Sequence, residues 1–265
     1  MIAASLMSAF TPLADAHDAT RFGGKAAGLA RLVAAGCRVP PGLALAWNAV
    51  DALGDHDAAV LSGLLATGPV AVRSSAVGED GMVASFAGQH RTVLGVRDLE
   101  GVRAAVRDVR ASGSESSALE YRRRMGLDSA VRVGIVVQAL VEADVAGVLF
   151  TRDPLGGEGA VLEASWGLGE VVVQGLVNPD RWRVAGAIEF TAGEKDLALR
   201  SVGDRVVEVS VDESDVARPC LSDAEVMAAV GIGRHLETVT PGPHDVELAW
   251  DRHGLWVLQW RPATR

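Results

Sequence analysis

The segment VELAWDRHGLWVLQWRP (246–262) places a carboxylate, an amide and a guanidinium within an otherwise apolar β-hairpin pattern. Because side chains alternate between the faces of a strand, Gln259 and Arg261 share one face, and Glu247 lies on the strand expected to pair with theirs. Carboxylate and amide oxygens are hard ligands for Mg²⁺, and a neighbouring arginine can stabilise a phosphoryl group in transfer. An ion pair between Glu247 and Arg261 would account for the same residues, and Asp245 is either a second metal ligand or a solvated residue at the strand entry.

A second candidate lies in RFGGKAAG (21–28), where glycines precede Lys25 at the start of a helical pattern. Such a turn can offer backbone N–H groups and a cation to phosphate oxygens. The segment is not a Walker A loop, because Ala19 stands where that pattern has Gly and Ala26 stands where it has Ser or Thr. A glycine turn followed by an exposed lysine is the alternative interpretation.

A third candidate is Arg73 in VAVRSSAVGED (70–80), at the polar end of a buried-strand pattern. A desolvated guanidinium is costly unless it meets an anion. That anion is either a carboxylate, from Glu79 or Asp80, or a triphosphate that the arginine binds in bidentate fashion.

Two further segments carry weaker signals. The loop SFAGQ (85–89) supplies Ser85 and Gly88, which permit close approach of the backbone to a ligand or simply form a flexible loop. Gln138 interrupts the apolar run GIVVQALV (134–141), and a glutamine in a central strand needs partners for its amide. Either another side chain or a ligand such as a purine edge would satisfy it.

Composition narrows the functional classes. The chain has 265 residues, enough for two lobes, and its 49% hydrophobic content includes no apolar run long enough to span a membrane. Its net charge of −9 argues against nucleic-acid binding, and its densest basic run, YRRRMG (121–126), is interpreted as the solvated face of a helix. The N-terminus lacks the basic region of a signal peptide. Cys37 and Cys220 lack metal-ligand spacing and are expected to be free thiols in the cytoplasm.

The order of elements predicts an α+β protein in two lobes, 1–130 and 131–265. Amphipathic helices are expected at 23–36, 98–112 and 222–239, the last opened by a capping box at Ser222 and Glu225. The strand patterns at 132–140 and 145–154 are expected to form an antiparallel pair, and His253-Gly254 is expected to form the turn of the terminal hairpin.

Five blocks in one order extend across nearly the whole chain: GGKAAGLARLVAAGCRVPPGLAL, VAVRSSAVGEDGMVASFAGQ, VVQALVEADVAGVLFTRDP, ASWGLGE with VVVQGLVNPDRW, and DVELAWDRHGLWVLQWRP. Together they resemble the N-terminal ATP-binding domain of the phosphoenolpyruvate synthase, pyruvate phosphate dikinase and rifampin phosphotransferase family. The resemblance implies a two-lobed, ATP-grasp-like nucleotide-binding fold with the ATP cleft between the lobes.

The same resemblance implies a role for each candidate residue. Lys25, Arg73 and Arg261 would contact phosphates and promote transfer, with Arg261 on the terminal phosphate. The loop with Ser85 and Gly88 would close over ATP, and Gln138 and the backbone of Leu140 would lie beside adenine. Glu247 and Gln259 would bind Mg²⁺, assisted by Asp245.

Two features depart from the family pattern. The segment between the PPG and VRSS blocks is shorter than usual, and the 265 residues contain no Gly-rich Thr/Ser-His motif for a phosphate relay. The expected function is therefore an ATP- and Mg²⁺-dependent phosphotransferase subunit, the nucleotide-binding half of a split system that passes phosphate to a histidine on a separate carrier protein. The alternatives are a stand-alone kinase or ligase that activates a small molecule, and a non-catalytic nucleotide-binding module.

Overall fold

A computed structural model describes residues 8–50, 54, 57–78, 91–112, 132–203 and 205–263. The chain divides into two compact units, of which the first comprises 1–31 and 41–140 and the second comprises 32–40 and 141–265. The division after residue 140 differs from the predicted one after residue 130, because the strand that follows 132 belongs to the sheet of the first unit.

The first unit contains a five-stranded antiparallel sheet in the order β1-β2-β5-β3-β4. Its strands are β1 (Phe10–Pro12), β2 (Gly42–Leu45), β3 (Val70–Ala76), β4 (Thr92–Val96) and β5 (Val133–Ala139). Its elements also include a 3₁₀ turn (Leu13–Asp15) and the helices α1 (Ala19–Phe22), α2 (Gly24–Ala34), α3 (Ala58–Leu65) and α4 (Leu99–Ser112); the last three residues of α2 fall in the second unit.

The hydrophobic core of this unit lies on one face of the sheet. Helix α4 places its apolar stripe against it, as the 3.6-residue spacing of that helix predicts. The core includes Val70, Val72, Ile135 and Val137 from the two central strands, and Val102, Ala105, Val106 and Val109 from α4. The opposite face of β3 and β5 is therefore the one that carries polar side chains.

The predicted pairing of 132–140 with 145–154 was wrong. Strand β5 pairs with β2 and β3, at the centre of the first sheet, whereas the strand after residue 145 pairs in the second sheet. Both segments are apolar on both faces, and such a pattern identifies a buried strand without identifying its partner.

The second unit contains a six-stranded antiparallel sheet in the order β13-β12-β6-β7-β8-β9, and a separate β10–β11 hairpin. The strands are β6 (Val145–Phe150), β7 (Ala160–Trp166), β8 (Asp180–Ala185), β9 (Ala187–Thr191), β10 (Leu197–Val202), β11 (Arg205–Ser210), β12 (His244–Asp251) and β13 (Gly254–Pro262). The helices are α5 (Glu170–Val173), α6 (Glu213–Val216) and α7 (Asp223–Val239).

Two local predictions in this unit are confirmed. Helix α7 begins with the capping box: the Ser222 hydroxyl accepts from the Glu225 amide, and the Glu225 carboxylate accepts from the Ser222 amide. Strands β12 and β13 form the predicted terminal hairpin. Its turn lies one residue earlier than predicted, at 252–253, and Gly254 begins β13 with a positive φ of 106°.

No helix among the described residues is both long enough and apolar enough to cross a membrane.

Candidate functional site

The polar face of the first sheet brings Arg73 and Gln138 together. In the antiparallel register Ala71 lies opposite Gln138, and Arg73 lies opposite Val136, so all four side chains share one face. Gln138 is only 3% exposed and is flanked on its other side by Gly42. Both residues directly opposite this amide are therefore small.

The start of helix α2, which carries Lys25, packs against this face of the sheet. The Ala26 amide, in the first turn of the helix, donates to the Ser75 hydroxyl over 3.0 Å. Ser75 lies two residues after Arg73 on β3, so its side chain points to the same face as the arginine. The structure thus brings Lys25, which is 7% exposed, to the strand that carries Arg73. The sequence placed these cations 48 positions apart and gave no direct indication of this contact.

The backbone of Leu140 has one of its two hydrogen-bonding groups already used. Its amide donates to the Pro69 carbonyl over 2.9 Å. The predicted contact with adenine is thereby restricted to the Leu140 carbonyl.

The loop residues Ser85 and Gly88 lie outside the described residues, as do the alternative partners of Arg73, Glu79 and Asp80. Their predicted roles, like the predicted cleft for ATP, stay predictions.

The terminal hairpin of the second unit places four polar residues on one face. Asp245 lies opposite Arg261, and Glu247 lies opposite Gln259. The intervening Val246 is fully buried on the other face, against the core of the unit. The register therefore assembles two carboxylates, an amide and a guanidinium as two adjacent cross-strand pairs.

A β-bulge adjoins these two pairs. Val257 lies opposite Leu248 on the core face, yet Gln259 lies opposite Glu247 on the polar face, so one additional residue is accommodated at Leu258. In a regular strand Val257, Gln259 and Arg261 would all have pointed the same way. The bulge instead turns Val257 to the core face, where Val257 and Trp260 are both buried.

Electrostatics distinguish the two pairs. The Arg261 Nε lies 3.3 Å from Asp245 Oδ2, longer than a typical charge-assisted hydrogen bond, and the arginine side chain is 35% exposed. Arg261 thus forms an ion pair with Asp245, whereas the sequence suggested Glu247 as its partner. Burial raises the pKa of Asp245 above its ordinary value, and the neighbouring Arg261 opposes that rise.

The same face continues across the sheet. Val148 on β6 lies opposite Glu247, Glu163 on β7 lies opposite Val148, and Arg181 on β8 lies opposite Glu163. The Arg181 guanidinium lies 3.9 Å from Glu163 and 3.8 Å from Asp153. Glu163 and Arg181 were not among the predicted site residues, although the alternation in AVLEASW and DRWRVA would have placed them on one face.

The chemistry of the hairpin suits Mg²⁺ bound together with a ligand. Within the described parts of the chain, no three His, Cys, Asp or Glu side chains cluster closely enough to hold a metal by themselves. Mg²⁺ in nucleotide sites typically uses one or two carboxylates and completes its shell with waters and substrate phosphates. Asp245, Glu247 and the Gln259 amide fit that incomplete set.

Comparisons with solved structures give partial overall similarity. An L-amino acid ligase from Bacillus licheniformis matches with a TM-score of 0.46 and 13% identity, over 92% of this chain and 43% of the ligase chain. The ADP complex of N5-carboxyaminoimidazole ribonucleotide synthetase matches with a TM-score of 0.44 and 9% identity, over 93% of this chain and 46% of the other.

Curated relatives are considerably more similar in sequence. A probable phosphoenolpyruvate synthase of Methanothermobacter thermautotrophicus is 41% identical over 74% of this chain and 29% of its own length. A rifampicin phosphotransferase of a Streptomyces species is 38% identical over 80% and 26%, respectively. The phosphoenolpyruvate synthase of Pseudomonas aeruginosa is 36% identical over 74% and 27%. The chain therefore spans little more than a quarter of the length of these relatives.

The family model described as the pyruvate phosphate dikinase AMP/ATP-binding domain matches residues 48–265, which include Arg73, Gln138 and the complete terminal hairpin. That match covers most of the chain and confirms the resemblance recognised from the five sequence blocks. The chain belongs to the pyruvate phosphate dikinase AMP/ATP-binding domain family.

Proposed function

We propose that this protein binds Mg·ATP and transfers phosphate from it to a histidine on a carrier protein. The observation that carries the proposal is the antiparallel register of β12 and β13, which aligns Asp245, Glu247, Gln259 and Arg261 on one face. Metal-binding oxygens beside a partly exposed guanidinium are the groups that phosphoryl transfer requires.

In this mechanism Glu247 and the Gln259 oxygen are the residues that would hold Mg²⁺. When bound, the metal would supply neutralisation of the charge on the phosphate oxygens. Arg261 binds the terminal phosphate. Asp245, 3.3 Å from its Nε, orients the guanidinium and leaves its other nitrogens for the phosphate.

The residues of the first unit bind the rest of the nucleotide. Arg73 lies on β3, and Lys25 lies at the start of α2, which packs against the same strand. Both cations contact phosphate oxygens of ATP. Gln138, on the same face as Arg73, recognises the adenine edge through its amide. The contribution of these residues is to position ATP and to neutralise its charge.

The acceptor is proposed to be a histidine outside these 265 residues. Phosphoryl transfer by positioning and charge neutralisation needs no nucleophile of the enzyme itself. The printed sequence contains no Gly-rich Thr/Ser-His motif, and none of its six histidines has the setting of a nucleophile. The relatives are named for two different activities, phosphoenolpyruvate synthesis and rifampicin phosphorylation, so the final acceptor is left open.

The test uses ATP labelled separately at the β and γ positions. The full chain is incubated with labelled ATP, Mg²⁺ and the purified product of the adjacent reading frame, and transfer is scored as acid-labile, alkali-stable label on protein. Label on a partner histidine supports the proposal, and the labelled position shows which phosphate moves.

Other outcomes of the same experiment reject the proposal. Label on a small molecule in the absence of any partner protein would indicate a stand-alone kinase or ligase. Calorimetric binding of Mg·ATP without any transfer would indicate a nucleotide-binding module, and absence of binding would reject the nucleotide site itself.

A further inference from the structure

Ser75 occupies an unusual position in the first unit. It is fully buried near the end of β3, and its hydroxyl accepts the hydrogen bond from the Ala26 amide. That amide belongs to the first turn of α2, an eleven-residue helix whose second residue is Lys25. A backbone amide in the first turn has no carbonyl partner within its own helix, so the serine supplies the acceptor that the helix lacks.

Two glycines allow the helix to approach this closely. A Cβ on Gly23 would lie 1.9 Å from the Ser75 carbonyl oxygen, and Gly23 also has a φ of 83°. A Cβ on Gly134, directly opposite Ser75 on β5, would lie 2.5 Å from the Phe22 carbonyl oxygen. The backbone at the start of α2 therefore rests directly on β3 and β5, and the Ser75 hydroxyl fixes its position there.

We propose that Ser75 is a positioning residue that holds Lys25 in place to act with Arg73 on the same phosphate chain. The inference rests on the proposed function, because it assumes that these two cations bind ATP. Ser75 and Arg73 are two residues apart on one face of the strand, about 7 Å along it. A hydrogen bond from the turn that carries Lys25 to Ser75 thus couples the position of the lysine to that of the arginine.

The neighbouring serine provides a matched control. Ser74 is also buried, at 2% exposure, but its side chain points to the opposite face, among the core residues. Its hydroxyl has no hydrogen-bond partner among the described residues. Ser74→Ala and Ser75→Ala therefore remove the same atom from adjacent buried positions, and only the second removes the bond to α2.

The experiment measures the Kd of Mg·ATP and of AMP by calorimetry for the wild type, Ser75→Ala, Ser74→Ala and Lys25→Met. Ser75→Ala is expected to weaken ATP binding about tenfold, because Lys25 is then no longer held in the position from which it contacts the phosphates. AMP binding should change by less than about twofold, because it lacks the outer phosphates that Lys25 is proposed to contact. Ser74→Ala should leave both constants unchanged.

A double variant separates positioning from a general structural effect. In the Lys25→Met background, Ser75→Ala should cause no further loss of ATP affinity, since the group that it positions has been removed. Ser75→Cys, which keeps a weak acceptor of similar size, should bind ATP with intermediate affinity and serves if Ser75→Ala does not fold.

Three outcomes would overturn the inference. These are equal weakening of ATP and AMP, an undiminished effect of Ser75→Ala in the Lys25→Met background, and an equal effect of Ser74→Ala. If the wild type itself fails to bind Mg·ATP, the proposed function fails and the inference falls with it. If wild-type binding is intact and Lys25→Met weakens it, any of the three outcomes rejects the role of Ser75 alone.

Discussion

Two carboxylate–cation pairs of the second unit, Asp180–Lys195 and Asp245–Arg261, differ sharply in how they are enclosed. Asp180 and Lys195 are both fully buried, with 2.7 Å between Oδ1 and Nζ. Asp245 and Arg261 are 3.3 Å apart, and their side chains are 16% and 35% exposed. One pair is closed to solvent and the other is partly open.

The closed pair has its hydrogen bonds supplied by the surrounding backbone. Asp180 also accepts from the amides of Gly193 and Cys220, and Lys195 also donates to the Val216 carbonyl. Three stretches of the chain, at 180, 193–195 and 216–220, therefore meet at one buried charge pair. A buried pair is tolerated when its partners are present in good geometry, and losing one partner leaves an uncompensated charge.

The same type of carboxylate–cation pair can therefore stabilise the fold or remain available to a ligand. Asp180–Lys195 connects the start of β8 to the segments around α6, and its groups are saturated by the protein. Asp245–Arg261 has a longer contact of 3.3 Å and a partly exposed guanidinium, which suits the ligand-binding role proposed for Arg261. The expected cost of breaking the first is in stability, and the expected cost of breaking the second is in function.

The largest effect is expected from Lys195→Met. The substitution leaves Asp180 charged and buried without its cation, and it should lower the free energy of unfolding by about 3–5 kcal/mol. Urea denaturation of the full chain measures it. Arg183→Met is the control. It breaks the exposed ion pair between Arg183 on β8 and Glu189 on β9, and it should leave the denaturation midpoint unchanged. A similar midpoint for the two variants would show that the buried pair has no special structural role.

Arg261→Gln should have the opposite profile. Phosphate transfer is expected to fall by about 10²–10³-fold, as when one preorganised donor to developing charge is removed, while the urea midpoint stays close to that of the wild type. Single-turnover transfer of label from ATP measures the first quantity. Normal transfer by this variant would disprove the assignment of Arg261, and a large loss of stability would show that the open pair is also structural.

Glu247→Gln should mainly weaken the apparent affinity for Mg²⁺. Replacing a carboxylate ligand by an amide is expected to raise the Mg²⁺ concentration needed for half-maximal ATP binding by about tenfold. Glu163→Gln removes the same charge from the same face, with only the strand of Val148 between the two positions. Equal shifts in the two variants would mean that the effect depends on the charge of the face and not on ligation by Glu247.

The polar face of the terminal hairpin was predictable from the sequence because its residues are close along the chain, although the sequence suggested Glu247 and not Asp245 as the ion-pair partner of Arg261. A hairpin fixes which residues oppose each other, so alternation alone placed Gln259 and Arg261 together and Glu247 on the partner strand. The bulge at Leu258 was not predicted. Strict alternation would have placed Val257 on the polar face as well, and only its burial shows the change of phase.

The closed pair was not anticipated, since nothing local marks it. Asp180 begins the predicted short strand DRWRVAG, and Lys195 lies in the polar loop predicted at 191–205. Their burial arises when separate segments close over them, which is a tertiary event. The partners of β5 were missed for a similar reason, because an apolar run reports burial but carries no information about which strands cover it. The Ser75–Ala26 contact likewise joins segments that are distant in sequence.

The smallest effect needs no substitution, because Cys220 reports on the closed pair. Its amide donates to Asp180, and burial together with the Asp180 carboxylate raises the pKa of its thiol well above the ordinary value. Alkylation proceeds through the thiolate, and a raised thiol pKa means less thiolate at a given pH. Iodoacetamide at pH 8.5 should therefore label native Cys220 far more slowly than the same residue in urea.

The second thiol calibrates this measurement within the same molecule. Cys37 is only partly buried, and burial raises the pKa of its thiol as well. Mass spectrometry of peptides should show Cys37 labelled before Cys220 in the native protein and both labelled alike after unfolding. If native Cys220 reacts as fast as Cys37, the segment that carries it opens without global unfolding. The Asp180–Lys195 pair would then be as accessible as Asp245–Arg261, and the distinction between a closed and an open pair would no longer hold.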